Sequence, residues 1–117
     1  MELTNTHLRY LLAVHELSVK TGAAAPAQVA ALLSVSRPSV TRMLGVLADK
    51  ELVDRERYGK VSLTEQGTLL AERYQDQLHR LAERLPSLGL ELTPEETYAA
   101  ASVLATVLPE RCFGRIM

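Results

Sequence analysis

The chain has 117 residues, of which 47% are hydrophobic, 23% are charged and only 4% are aromatic, and its net charge is −1. This length fits about one domain, and the composition is that of a globular protein rather than a disordered one. The near-neutral charge gives no electrostatic argument for nucleic-acid binding by the chain as a whole. The scarcity of aromatic residues predicts a core of Leu, Val and Ala, as in packed helices.

Cysteine usage and the apolar runs indicate the compartment. The single cysteine, Cys112, excludes an intramolecular disulfide and favours a reducing environment. The first residues lack the positive flank and the apolar run of a signal peptide. No stretch approaches the roughly 18–20 apolar residues that span a bilayer. We therefore expect a soluble, cytoplasmic protein that has no membrane partner.

The segment from Asn5 to about Lys50 predicts three helices joined by short turns. Helix one runs to about Lys20 and is followed by Gly22 at a plausible position for a helix end. Helix two begins at Pro26, a residue favoured in the first helical turn. Helix three follows Ser36, which is a good N-cap. The apolar residues that recur at helical spacing are Leu8, Leu11 and Leu12 in helix one and Val40, Met43, Leu44 and Leu47 in helix three.

A β-hairpin is predicted after helix three, where the apolar spacing changes. Its strands lie at about 52–57 and 60–63, around a turn at Tyr58-Gly59. Two short helices with a tight turn between them, followed by a hairpin, form the winged version of the helix-turn-helix. The predicted fold class is therefore mainly α (α+β), with a winged helix-turn-helix domain over residues 1–64.

The remaining residues, 65–117, predict a helical dimerisation region. Thr64 is a candidate cap for a long helix over 65–85, and a capping box that begins at Thr93 opens another helix over 94–108. The last helix offers a face of small and apolar residues on which a second copy could pack, although the same residues could pack within one chain. They are Ala99, Ala100, Ala101, Val103, Leu104, Val107 and Leu108.

Candidate DNA-binding residues lie at the start of helix three and at the hairpin tip. A helix fits the major groove, where its N-terminal side chains reach base edges, and Arg57 and Lys60 at the tip would meet phosphates. Residues 1–64 hold eight Lys and Arg against six Asp and Glu, whereas 65–117 hold five against eight, which favours a DNA-facing first half. Taken singly, such residues are as often helix caps or solvated charges, but the ordered set is more specific. Its helix-three members are Ser36, Arg37, Pro38, Ser39, Thr41 and Arg42.

Five stretches carry a resemblance to a known family: Tyr10-Leu11 with His15-Glu16-Leu17, Val29-Ala30-Ala31-Leu32-Leu33, the run from Val35 to Met43, the run from Gly59 to Gly67, and the run from His79 to Leu85. Over residues 7 to about 85 the chain resembles the diphtheria-toxin-repressor and manganese-transport-regulator family of bacterial metal-dependent repressors. The resemblance implies a homodimer that binds a double-stranded DNA operator with Mn²⁺ or Fe²⁺ as cofactor. It also implies DNA-reading roles for Ser36, Pro38, Ser39, Thr41 and Arg42.

The same resemblance implies metal ligands on helix one, on the long helix and on the helix that follows. Here the helix-one positions are Arg9 and Leu12, and the later cluster falls in the run from Ala100 to Ala105, which offers no ligand. His79 and Glu83 remain as candidate ligands, and two protein ligands hold a transition metal weakly. The sequence therefore predicts DNA binding that needs no transition metal, the alternative being a relocated site of His79 and Glu83 with Cys112.

The same residues leave two other functions open. One alternative is a regulator of this fold that responds to an organic ligand or to thiol oxidation, and another is a winged-helix protein-interaction module that does not bind DNA. An enzyme is not predicted, because the sequence lacks a Gly-rich phosphate loop, a His-Glu-x-x-His metal helix and a Gly-x-Ser-x-Gly nucleophile turn.

Overall fold

The computed structural model describes residues 3–113, apart from the side chains of Arg57 and Glu110. This part of the chain forms two compact units, one that ends at Ala71 and one that begins at Glu72. The helices and strands are α1 (Asn5–Thr21), α2 (Pro26–Leu33), α3 (Arg37–Asp49), β1 (Val53–Arg55), β2 (Val61–Leu63), α4 (Glu65–Arg84) and α5 (Pro94–Val107). The mainly helical fold with a small two-stranded sheet confirms the predicted fold class.

Local capping accounts for the ends of the first helices. Thr4 caps α1, since its side chain accepts a hydrogen bond from the His7 amide (3.2 Å), while His7 Nδ1 accepts one from the Thr4 amide (3.1 Å). Gly22 ends α1 in the left-handed conformation (φ 88°), as the sequence predicts. Ser34 ends α2 in the same conformation (φ 56°), which makes the turn into α3 short.

The core of the first unit is built from aliphatic side chains of the three helices and the hairpin. Tyr10 is the aromatic residue buried among them, and its presence is a departure from a purely aliphatic core. The expected reliance on Leu and Val is confirmed. The largest fully buried side chains of this unit are Leu11, Val14, Val29, Val40, Leu47, Leu52 and Val61.

The hairpin is antiparallel and shorter than predicted. Val53 pairs with Leu63 and Arg55 pairs with Val61, so each strand has three residues. The strands end early because the connecting segment forms a 3₁₀ turn in which Tyr58 has a φ of 62°. A left-handed residue cannot continue a β-strand. The predicted strand limits of 52–57 and 60–63 are therefore too wide at the turn.

A third backbone segment pairs with the hairpin. The amide of Ala24, in the loop between α1 and α2, donates to the Val61 carbonyl, and the Val61 amide donates to the Ala24 carbonyl, both at 2.8 Å. Both residues are buried. These two hydrogen bonds join the hairpin to the loop between α1 and α2.

The start of α4 lies tightly against the segment that leads into β1. Thr64 donates from its amide to the Leu52 carbonyl (3.0 Å) and from its hydroxyl to the Glu51 carbonyl (2.8 Å). The same hydroxyl accepts from the Gly67 amide (3.0 Å), which confirms Thr64 as the cap. Gly67 is buried, and a Cβ there would overlap the Leu52 carbonyl.

The second unit contains the later part of α4 together with α5. The Tyr74 hydroxyl is hydrogen-bonded to the Ser102 carbonyl (2.9 Å), so one buried phenol links the two helices. The predicted capping box is confirmed, since Thr93 and Glu96 exchange side-chain and backbone hydrogen bonds of 2.9 and 3.1 Å. The buried residues of this unit are Tyr74, Leu78, Leu85, Ala101, Ala105 and Phe113.

Gly67→Ala tests the close approach at the start of α4. We expect a loss of about 1–3 kcal/mol in unfolding free energy, because the new methyl group overlaps backbone that Thr64 holds in place. The matched control is Gly45→Ala on α3, where a Cβ has only an ordinary 3.5 Å contact with the Arg55 side chain. That variant should be neutral or gain up to about 1 kcal/mol from better helix propensity. Equal effects of the two variants in chemical denaturation would contradict this account.

Candidate nucleic-acid interface

Helix α3 begins in a short hydroxyl network. Ser36 adopts an extended conformation, and its Oγ accepts a hydrogen bond from the Ser39 amide (3.2 Å) and donates to Ser39 Oγ (2.9 Å). Pro38 occupies the first turn, where a missing amide hydrogen costs no intrahelical bond. The two serines therefore fix the start of α3, and their free hydrogen-bonding capacity is smaller than the sequence alone suggests.

The side chains of α3 separate into a core face and a solvent face. Val40, Leu44 and Leu47 are buried. Met43 is half-buried and packs against the same core, so the core face recurs at the helical period of 3.6 residues. Four of the predicted DNA-reading residues lie on the exposed part of the helix: Arg37, Pro38, Thr41 and Arg42.

The hairpin tip provides the second group of predicted residues. Lys60 is exposed, and Tyr58 is almost completely exposed (96%). The backbone of Arg57 belongs to the 3₁₀ turn, but its side chain lies outside the part that the structure describes. The tip therefore presents an ammonium group and an aromatic ring to solvent.

Acidic side chains of the first unit occupy a separate depression. Glu51, Asp54 and Glu65 line it together with the exposed Leu69, near the end of α3 and the start of α4. The exposed positions Arg37 to Arg42 do not line it. The exposed start of α3 thus carries the cations Arg37 and Arg42 outside this acidic depression.

Arg55 is a residue that sequence reasoning missed. It is the last residue of β1, is exposed, and places its Nη2 atom 3.5 Å from the position that a Cβ of Gly45 would occupy. Gly45 follows Thr41 by one helical turn and therefore lies on the same side of α3. The only signal in the sequence was a glycine in the middle of an otherwise well-formed helix.

The residual metal candidates are all exposed. His79 and Glu83 are exposed on α4, and Cys112 is exposed in the 3₁₀ turn near the chain end. Within residues 3–113, no three side chains of the His, Cys, Asp or Glu type come together in a way that could hold a metal ion. These three residues therefore stay separate candidates.

The positions where the resemblance implies further ligands also lack donor chemistry. Arg9 on α1 is exposed and cationic, and Leu12 is half-buried. On α5, Ala101 and Ala105 are buried apolar residues. Because neither a guanidinium nor an alkyl side chain binds a divalent transition metal in the usual way, the residues do not fit the metal that the family implies.

Three helices, a short turn between the second and third, and a following β-hairpin define the class of the first unit as winged helix-turn-helix. A family model described as "Iron dependent repressor, N-terminal DNA binding domain" matches residues 2–61. The chain therefore belongs to the iron-dependent repressor family, whose members are transcriptional regulators, and the resemblance found in the sequence is confirmed.

Solved structures of metal-dependent regulators are similar over nearly the whole chain. IdeR of T. acidophilum is 27% identical (TM-score 0.77), and the match covers 99% of this chain and 53% of that one. The manganese regulator SloR is 26% identical (TM-score 0.81), with the same coverage of 99% and 53%. The Zn²⁺-bound structure of ScaR is 28% identical (TM-score 0.73), covering 94% and 51%. The chain spans about half the length of these relatives.

A search of curated proteins found no match. None of the helices that the structure describes is both long enough and apolar enough to cross a membrane.

Proposed function

We propose that this chain is a DNA-binding transcriptional regulator, and specifically a repressor, that places α3 in the major groove of a double-stranded DNA operator. The observation that carries this proposal is the exposed face of α3. Arg37, Thr41 and Arg42 lie there beside Pro38, while the opposite face is fixed in the core. A cytoplasmic location and a role without catalysis follow from the same proposal.

The residues of the interface are assigned different roles. Arg42 is proposed to read a base edge, because a guanidinium on a groove-facing helix matches the two acceptors of guanine. Lys60, at the hairpin tip, is proposed to meet a backbone phosphate, as is Arg57. Ser36 and Ser39 already bond to one another, so they support α3 and add backbone-directed contacts to it.

The second part of the proposal is a homodimer formed through residues 65–117, with residues 1–64 as the DNA-binding domain. On α5, Val103 and Val107 are one turn apart and 52% and 60% exposed, whereas Ala101 and Ala105 pack inside the unit. A half-open apolar pocket of about 300 Å³ also lies in this unit, lined mainly by Leu81, Leu85, Leu88 and Leu104. A second copy would cover these apolar groups and place two α3 helices on two half-sites.

The third part of the proposal is that operator binding needs no transition metal. Arg9 and Leu12 replace ligands on one side of the implied site, and the apolar run from Ala100 to Ala105 replaces them on the other. A metal can shift the protein from one arrangement to another only if the protein binds the metal more tightly in one arrangement than in the other. His79 and Glu83 on one helix cannot supply such a link by themselves.

Arg42→Ala and Lys60→Ala separate base reading from phosphate contact. The probe is a duplex selected from a random-sequence pool by the wild-type protein. We expect Arg42→Ala to cost about 1–3 kcal/mol on this duplex and to relax preference at one base pair. Lys60→Ala should weaken binding to all DNA sequences alike. It should also lower the salt slope, the dependence of log affinity on log salt concentration, by about one. Interchangeable effects of the two variants in fluorescence-anisotropy titrations would refute the assignment.

Val103→Glu with Val107→Glu tests the dimer face. We expect the wild type to sediment as a dimer at micromolar concentration and the double variant to sediment as a monomer, because two buried carboxylates would be unpaired in the interface. Val19→Glu is the matched control, since Val19 on α1 is 74% exposed and lies in the other unit. A wild type that is strictly monomeric at this concentration would rule out the proposal.

Metal dependence is tested by calorimetry and by DNA titration in chelator. We expect no stoichiometric Mn²⁺ or Zn²⁺ site of micromolar affinity, and equal affinity for the selected duplex with Mn²⁺, with Fe²⁺ or with chelator. His79→Ala should change neither result. A site of micromolar or better affinity that His79→Ala removes, and that is coupled to DNA affinity, would establish the relocated site instead.

A further inference from the structure

Arg55 places a guanidinium on the DNA-facing side of α3 from a different element. Its Nη2 atom lies 3.5 Å from the position of a Cβ on Gly45. Gly45 is one turn beyond Thr41 and three residues beyond Arg42, which are both exposed. The exposed surface of α3 therefore carries three guanidiniums, of which Arg37 and Arg42 belong to the helix and Arg55 to the hairpin.

Arg55 forms no ion pair of 4 Å or less with the side chains that the structure describes. No carboxylate among them forms an ion pair with this guanidinium, although Asp54 and Glu56 are its neighbours in sequence. Asp54 lines the acidic depression, of which Arg55 is not part, and Glu56 lines a different depression together with Arg55 and Lys60. Arg55 is thus an exposed cation that remains available to an anionic partner.

The position of Arg55 along α3 decides which part of DNA it would meet. Gly45 is eight residues after Arg37, a separation of about 12 Å along the helix axis at 1.5 Å per residue. The major groove is also about 12 Å wide. When the first turn of α3 reaches the base edges, a group two turns later lies near the sugar–phosphate strand at the edge of the groove.

We infer that Arg55 holds a backbone phosphate at the edge of the major groove that α3 enters, and that Gly45 provides the open surface on which its guanidinium rests. The inference rests on the proposed function, because it requires α3 to enter the groove. It adds a contact that belongs to neither the start of α3 nor the hairpin tip. Guanidiniums suit this role, since their forked donors match two phosphate oxygens.

Arg55→Ala in the full chain tests the inference, with Arg9→Ala as the matched control. Arg9 is an exposed arginine of the same unit on α1. The probes are the duplex selected by the wild type and a scrambled duplex of the same length and composition. We expect Arg55→Ala to weaken binding to both duplexes by the same factor and to lower the salt slope by about one. Arg55→Lys should restore most of the slope, and Arg9→Ala should leave it unchanged.

Thermal unfolding of each variant separates a DNA contact from a structural role. Arg55→Ala should keep the wild-type unfolding temperature, because the Arg55 side chain is exposed and Gly45 has no side chain that packs against it. An unchanged salt slope in Arg55→Ala, with wild-type binding intact, would overturn the inference, as would relaxed preference at one base pair. If the wild type shows no salt-dependent binding to any duplex, the proposed function fails first, and the inference fails with it.

Discussion

Two backbone hydrogen bonds between Ala24 and Val61 set the relation between the hairpin and the helices of the first unit. A two-stranded hairpin is marginally stable in water by itself. Here the loop between α1 and α2 adds a third backbone segment, and both bonded residues are buried, so water does not compete for these bonds. Because the hairpin is fixed in this way, Lys60 and Arg55 are carried on the same rigid unit as α3.

The entry into α4 fixes the other end of the hairpin. Thr64 donates to the carbonyls of Glu51 and Leu52, which follow α3, so the residues before β1 and after β2 are held together. The price of this contact is that residue 67 must be glycine, because a Cβ would overlap the Leu52 carbonyl. The hairpin is thus anchored at both of its outer ends, and its tip, with the left-handed Tyr58, is exposed.

Local signals in the sequence predicted most of the fold. Ser36, Gly22 and Thr93 act at helix ends where their chemistry requires it, and the apolar spacing located α1 to α3. The first cap, in which Thr4 and His7 bond to one another, was not predicted, and His is not the usual partner in that motif. The turn at Tyr58-Gly59 was predicted, but its left-handed Tyr58 was missed, because nothing local marks a tyrosine for that conformation. Arg55 was missed for a different reason: its proximity to Gly45 depends on how the hairpin packs, which spacing along the chain does not encode.

The exposed face of α3 and the metal chemistry of the family depend on different residues. The face of α3 is set by the Ser36 cap and by the burial of Val40, Leu44 and Leu47, all within the first unit. None of these contacts uses a metal-ligating side chain, so the exposed face of α3 forms without ligands at Arg9 or Leu12. The residues at these positions therefore leave the exposed face of α3 in place. The proposal of operator binding without a transition metal rests on this separation between the exposed face of α3 and the family's ligand positions.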